Sequence, residues 1–93
     1  MITGFANKAT ETIWRGYRPP ELPASLSSVA LRKLRQLDAA TDLSFLKVPP
    51  GNKLHRLTKD RDGQYAIRIN RQYRLCFRWH GKDADQVEIT DYH

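Results

Sequence analysis

The sequence closes on Ile89-Thr90-Asp91-Tyr92-His93, which puts a carboxylate, a phenol and an imidazole on three consecutive residues. An imidazole carries protons near neutral pH, and an aromatic ring such as Tyr92 can stack an unpaired base. Upstream lies a concentration of positive charge. The thirty residues from Lys53 to Lys82 hold nine Lys/Arg against Asp60 and Asp62, a net of +7. The chain as a whole is +6, so everything outside that segment sums to −1. A patch this localised is the footprint of a phosphate backbone or of an acidic partner.

One cofactor-free reaction suits these residue types: transesterification of RNA. A base takes the proton of the 2′-OH, which attacks the adjacent phosphate. An acid protonates the leaving 5′-oxygen, and cations stabilise the phosphorane-like transition state. His93 is the natural proton carrier, Arg74 or Lys59 the charge stabiliser, and Lys53, Arg56, Arg61, Arg68 and Arg78 the groups that would hold the RNA. Other chemistries lack support. There is no P-loop, no dinucleotide fingerprint and no Cys/His metal spacing, so no metal or cofactor is expected. Taken singly, each assignment is weak. A terminal histidine is more often a solvated end residue, and a strand arginine is more often structural.

The totals set the frame. A chain of 93 residues, 40% apolar, fits a single domain over residues 1–93 with one modest core. The lone cysteine, Cys76, excludes an internal disulfide. "MITGFANKAT" lacks the apolar stretch of a signal peptide, and no run approaches the roughly 18 apolar residues of a membrane span. A cytoplasmic protein without membrane contact is expected.

The elements that must position these groups follow from periodicity. "MITGF" reads as a first strand. "NKATETIWRG" reads as a short helix capped by Asn7 and stopped at Gly16, followed by a proline-rich joint. From Ala24 to Ala40, Leu26, Ala30, Leu34 and Leu37 recur at helical spacing. "TDLSFLKVPPGN" is a loop. Beyond Asn52 the period becomes two. "KLHRL" is short; Tyr65, Ile67 and Ile69 share one face, as do Tyr73, Leu75, Phe77 and Trp79, and Val87 with Ile89. This predicts an antiparallel sheet with one face on the helices. A three-residue loop at Asn70-Arg71-Gln72 sets Ile67 opposite Leu75, Tyr65 opposite Phe77 and Arg68 opposite Arg74. Like charges directly opposite repel, a cost more readily kept where an anion binds. Strict alternation along the last strand puts Asp91 and His93 on the core side and Tyr92 with the arginines. For His93 to reach a phosphate, the strand must twist, bulge or end by Thr90.

Read together, "DGQYAIRIN-x-QYR-x-CFRW" and the terminal "DYH" strongly resemble the HigB toxins of the RelE/ParE superfamily. So do Met1-Ile2, Phe5, Ile13-Trp14-Arg15-Gly16, "RKLRQLDAA" and "PPGNKL" in the first half. The resemblance implies an α+β, RelE-like fold: two or three N-terminal helices packed on a twisted antiparallel sheet of four to five strands. It implies an endoribonuclease that cuts mRNA in the ribosomal A site. The implied partners are a helix-turn-helix, HigA-like antitoxin, the ribosome with its message, and operator DNA through the antitoxin complex. By the same resemblance, Asp91 and His93 serve proton transfer, Tyr92 supports or stacks substrate, and Arg74 stabilises the phosphate. The family usually reads Leu-Lys-Gly-Asp where this chain reads Leu57-Thr58-Lys59-Asp60. Thr58 thus stands in the lysine's place and Lys59 in the glycine's, which implies weaker activity. Two other readings belong to the same superfamily: a non-catalytic module that binds antitoxin and operator, and, more distantly, a gyrase poison.

Overall fold

The computed structural model describes residues 1–91. Helix α1 spans Lys8–Trp14 and α2 spans Ala24–Ala39. Four strands follow, β1 (His55–Arg56), β2 (Gln64–Arg68), β3 (Tyr73–His80) and β4 (Asp83–Asp91). They form one antiparallel sheet in the order β1-β2-β3-β4. This is the α+β arrangement expected, with two helices on a four-stranded sheet. No helix among the described residues is long and apolar enough to cross a membrane.

The α2 stripe is fully used. Leu26, Ala30, Leu34 and Leu37 are buried, and they meet Ile67, Leu75, Phe77, Val87 and Ile89 from the sheet. One helical face and the alternate positions of three strands therefore make the main core. Its aromatic side is Tyr65–Phe77–Trp79, with ring centroids 6.3 and 6.4 Å apart, a spacing that adds favourable ring contacts to area burial. The segment between α2 and β1 is a loop built of two 3-10 turns, Leu43–Lys47 and Pro50–Asn52. Buried Asn52 holds it, donating to the carbonyls of Leu46 (3.1 Å) and Val48 (3.3 Å) and accepting from Lys33.

The β2–β3 register is the one that the hydrophobic pattern requires: Ile67 pairs with Leu75, Tyr65 with Phe77 and Arg68 with Arg74. Asn70 makes the turn. Its side-chain oxygen accepts from the backbone amides of Gln72 (2.9 Å) and Tyr73 (2.8 Å), offering the chain a local partner in place of a ladder bond. "MITGF" also pairs as a strand would, but parallel to β4 and through two separate bridges, Ile2 with Ala84 and Phe5 with Val87. It covers an edge of β4 that would otherwise be open to other chains.

One irregularity escaped the pattern. Between Cys76 and Arg78 the register with β4 shifts, because Cys76 faces Glu88 while Arg78 faces Asp85. Gln86 and Val87 thus oppose Phe77 alone, and Gln86 sits at φ +50°. This bulge lets Ala84 and Val87, three residues apart, both enter the core.

Asn7 caps α1, its Oδ1 accepting from Thr10 N–H (2.9 Å) and from the Thr10 hydroxyl (2.7 Å). Thr10 is buried, and its hydroxyl oxygen accepts the amide of Ile89 at 2.9 Å, tying the cap to β4. Asn7→Ala removes the cap and strands a buried hydroxyl donor. Urea denaturation is expected to show a loss of about 1–2 kcal/mol.

Candidate active site

Alternation turns one face of the sheet to the helices and the other outward. The outward face carries Gln64, Ala66 and Arg68 from β2 opposite Arg78, Cys76 and Arg74 from β3. On one side β1 adds His55 opposite Ala66; on the other, β4 adds Glu88 opposite Cys76 and Thr90 opposite Arg74. Leu57, Ala66 and Cys76 form a small buried apolar cluster at the centre, separate from the main core. This cluster is the buried floor under the cationic side chains of the outward face.

The segment after β1 folds back beside this floor. Leu57 N–H donates to the Gln64 carbonyl at 2.8 Å, and a 3-10 turn at Lys59–Arg61 lies between. Leu57, Thr58, Lys59, Asp60, Arg61 and Arg74 line a cavity of about 330 Å³ there. Lys59 and Arg74, fifteen residues apart and both expected to stabilise charge, therefore share one cavity. Lys59 occupies it with a left-handed backbone, φ +57°. That conformation is ordinary for glycine and costs other residues about 1–2 kcal/mol.

A second cavity, about 420 Å³, is lined by Lys53, His55, Arg68 and Arg71. His55, one of three histidines in the chain, is the group here that no motif in the sequence marks. Its Nδ1 lies 2.8 Å from the Lys53 carbonyl, and a carbonyl only accepts. Nδ1 therefore donates to it. Counting back in twos from Leu57, which belongs to the outward floor, would have placed His55 on this face. A two-residue strand is too short for the pattern to show.

The three strand arginines are each anchored through Nε. Arg68 donates to the Asn70 carbonyl (3.0 Å), Arg74 to the Thr90 hydroxyl (3.3 Å) and Arg78 to Gln86 Oε1 (3.2 Å). Arg68 and Arg74, directly paired, are thus drawn toward different elements, one to the β2–β3 turn and one to β4. Arg61 is engaged otherwise. Its Nη1 meets Glu88 Oε1 at 2.8 Å and donates to Gln64 Oε1 at 3.1 Å. Partial burial works against its charge, but the hydrogen bond that it donates to Glu88 and that carboxylate's charge prevail and hold the guanidinium above its ordinary range. Arg56 stands apart. It pairs with Tyr65, so its place in the register is on the core-facing side, away from Arg68, Arg74 and Arg78.

Beyond the bulge β4 keeps regular alternation to its end. Asp91 pairs with Tyr73 and accepts from Gln72 Nε2 at 2.9 Å. It therefore lies on the core-side parity, as strict alternation predicts, while its neighbour Thr90 lies beside Arg74 on the outward face. The register shift in β4 lies at Gln86, five residues before Asp91. Tyr92 and His93, the other two members of the terminal triplet, lie outside the described residues.

Known proteins give the same direction. Residues 4–93 match the model of a family described as the RelE-like toxin HigB of type II toxin–antitoxin systems. The chain is 45% identical over 93 residues to Toxin HigB-1 of Vibrio cholerae serotype O1, covering 99% of this chain and 94% of that protein. It is 28% identical over 93 residues to Endoribonuclease HigB of Proteus vulgaris, covering 100% of both. An uncharacterized protein of Haemophilus influenzae is 31% identical over 72 residues, covering 77% of this chain and 71% of that one. With the fold, the register and a near-complete match in agreement, this chain belongs to the HigB-like family of RelE-like toxins from type II toxin–antitoxin systems.

Proposed function

We propose that the outward sheet face cuts RNA, and that this chain is the toxin of its pair, a metal-independent endoribonuclease acting on mRNA in the ribosomal A site. The observation that carries the reading is the meeting of Lys59 and Arg74 in one cavity beside Arg68 and His55 on a single cationic face. The name of the Proteus vulgaris relative supports the activity. In this reading Arg74 and Lys59 stabilise charge on the phosphorane while Arg68, Arg78 and Lys53 bind flanking phosphates. Arg61 and Arg56 add to the positive field. The 2′-OH loses its proton to a base and bonds to phosphorus, and the 5′-oxygen leaves with a proton from an acid. The products are a 2′,3′-cyclic phosphate and a 5′-hydroxyl. His93 and Asp91 carry the protons, with His55 on the cationic face as the alternative carrier, and Tyr92 stacks a base. A neighbouring 2′-OH as nucleophile and fixed cations as stabilisers leave no step that requires a metal.

The type II family implies an antitoxin partner. We infer that it is a HigA-like protein with a helix-turn-helix domain, that the complex binds operator DNA, and that the protein acts in the cytoplasm. Inducing the chain alone in a bacterial host, with 5′ ends mapped on translated and untranslated messages, tests the reading. Growth arrest with new ends confined to translated frames is expected. Arrest without new ends would point to another target, and no arrest at good expression would favour a toxin-fold protein acting by binding alone.

That second reading has one specific support, Thr58 at the usual lysine position. Restoring the common order with Thr58→Lys and Lys59→Gly relieves the left-handed strain at residue 59. It is expected to raise stability by up to about 1 kcal/mol and to speed cleavage severalfold. Cleavage by the double variant at the unaltered wild-type rate would show that Lys59 already does the lysine's work.

A further inference from the structure

Arg61 reaches from the turn after β1 to Glu88 on β4, so its ion pair crosses the sheet beside the floor made by Leu57, Ala66 and Cys76. Both partners are largely shielded, with side chains 31% and 22% exposed. Each has further contacts. Arg61 also donates to Gln64 Oε1 at the far end of its own turn. Glu88 Oε2 accepts from Asn7 Nδ2 at 3.4 Å, and Asn7 is the cap of α1, whose Thr10 is bonded to Ile89 of β4. One connected set of polar contacts therefore runs from the α1 cap through Glu88 to the turn that carries Lys59. That turn needs holding. It is three residues of 3-10 helix with a left-handed non-glycine residue at its head, and its capping residue Thr58 makes no side-chain cap bond. A lysine held in a costly conformation persists only where its surroundings fix it.

The face is mostly cationic, and Glu88 is one of its few acids, with Asp85 opposite Arg78 and Asp60 in the cavity of Lys59 and Arg74. A carboxylate beside a phosphate site weakens anion binding, so its presence needs a compensating use. Pairing with Arg61 supplies one, and it removes Arg61 from the groups offered to the RNA.

From this we infer that Arg61 and Glu88 are a positioning pair: their ion pair fixes the Thr58–Asp62 turn over the sheet and so aims Lys59 into the cavity that it shares with Arg74, without Arg61 itself touching substrate. The inference concerns how the proposed site is held, and its activity arm rests on the nuclease reading.

Four forms decide it: wild type, Arg61→Gln, Glu88→Gln, and the exchanged pair Arg61→Glu with Glu88→Arg. Two measurements are made on each. The first is hydrogen exchange of the backbone amides of residues 58–62, which needs no activity. Both single variants are expected to exchange at least about tenfold faster there, with the rest of the sheet unchanged, and the exchanged pair to recover protection. The second is cleavage of a defined message in a reconstituted translation extract. Both singles are expected to lose about tenfold or more in kcat with KM within about twofold of wild type, and the exchanged pair to regain most of it. Unchanged exchange at 58–62 in Glu88→Gln overturns the inference. So does a higher KM in Arg61→Gln with normal or improved cleavage by Glu88→Gln, which would make Arg61 a direct phosphate ligand. If wild type cuts no RNA, the exchange measurement still judges the pair, and the nuclease reading alone fails.

Discussion

Arg74→Ala is expected to slow RNA cleavage by about a hundred- to a thousandfold. Arg74 is paired directly with Arg68, and its Nε donates to the Thr90 hydroxyl at 3.3 Å, so its guanidinium is held on the cationic face beside Lys59. Urea denaturation of the same variant separates lost chemistry from lost folding. Arg74→Lys should recover only part of the rate, because an ammonium is a point charge and cannot offer phosphate oxygens the planar fork of a guanidinium. Wild-type cleavage by Arg74→Ala would remove it from the chemistry. A large loss of stability would mean that its neighbours on the face depend on it.

His93→Gln should have the largest effect on activity, a loss of about a hundred- to ten-thousandfold. Glutamine keeps polarity and approximate size but cannot carry a proton near neutral pH. In wild type the rate should vary between about pH 5 and 8, where an imidazole changes charge. The limb belonging to His93 should disappear in the variant. Antitoxin capture by the variant should match wild type, which separates lost chemistry from lost folding. Growth arrest by His93→Gln at equal expression would show that another group moves the proton. His55, on the same cationic face as Arg68, is then the residue to replace next.

Much of this fold was legible because burial imposes a period. The α2 stripe of Leu26, Ala30, Leu34 and Leu37 and the alternation in β2 and β3 are each the mark of one face meeting a core. Their parity, with a short loop made by Asn70, was enough to fix Arg68 opposite Arg74. The β4 bulge was not legible. A single residue at φ +50° leaves no periodic trace, and Gln86 is not a type that announces a left-handed position. The same holds for His55, on a strand too short to alternate visibly, and for Arg56, which pairs on the other side from it.

By itself, then, the sequence determined the elements, the core and the charge of one sheet face, because hydrophobic spacing and net charge are properties of residues in order. It also marked Lys59, Arg74 and the Asp91-Tyr92-His93 ending as groups capable of phosphoryl chemistry. Only the tertiary structure decided which of the cations meet. Lys59 and Arg74 share a cavity because the turn after β1 folds back across the sheet, and Arg61 is drawn to a carboxylate twenty-seven residues away. Contacts of that kind depend on how separate segments approach one another, and no local period records them.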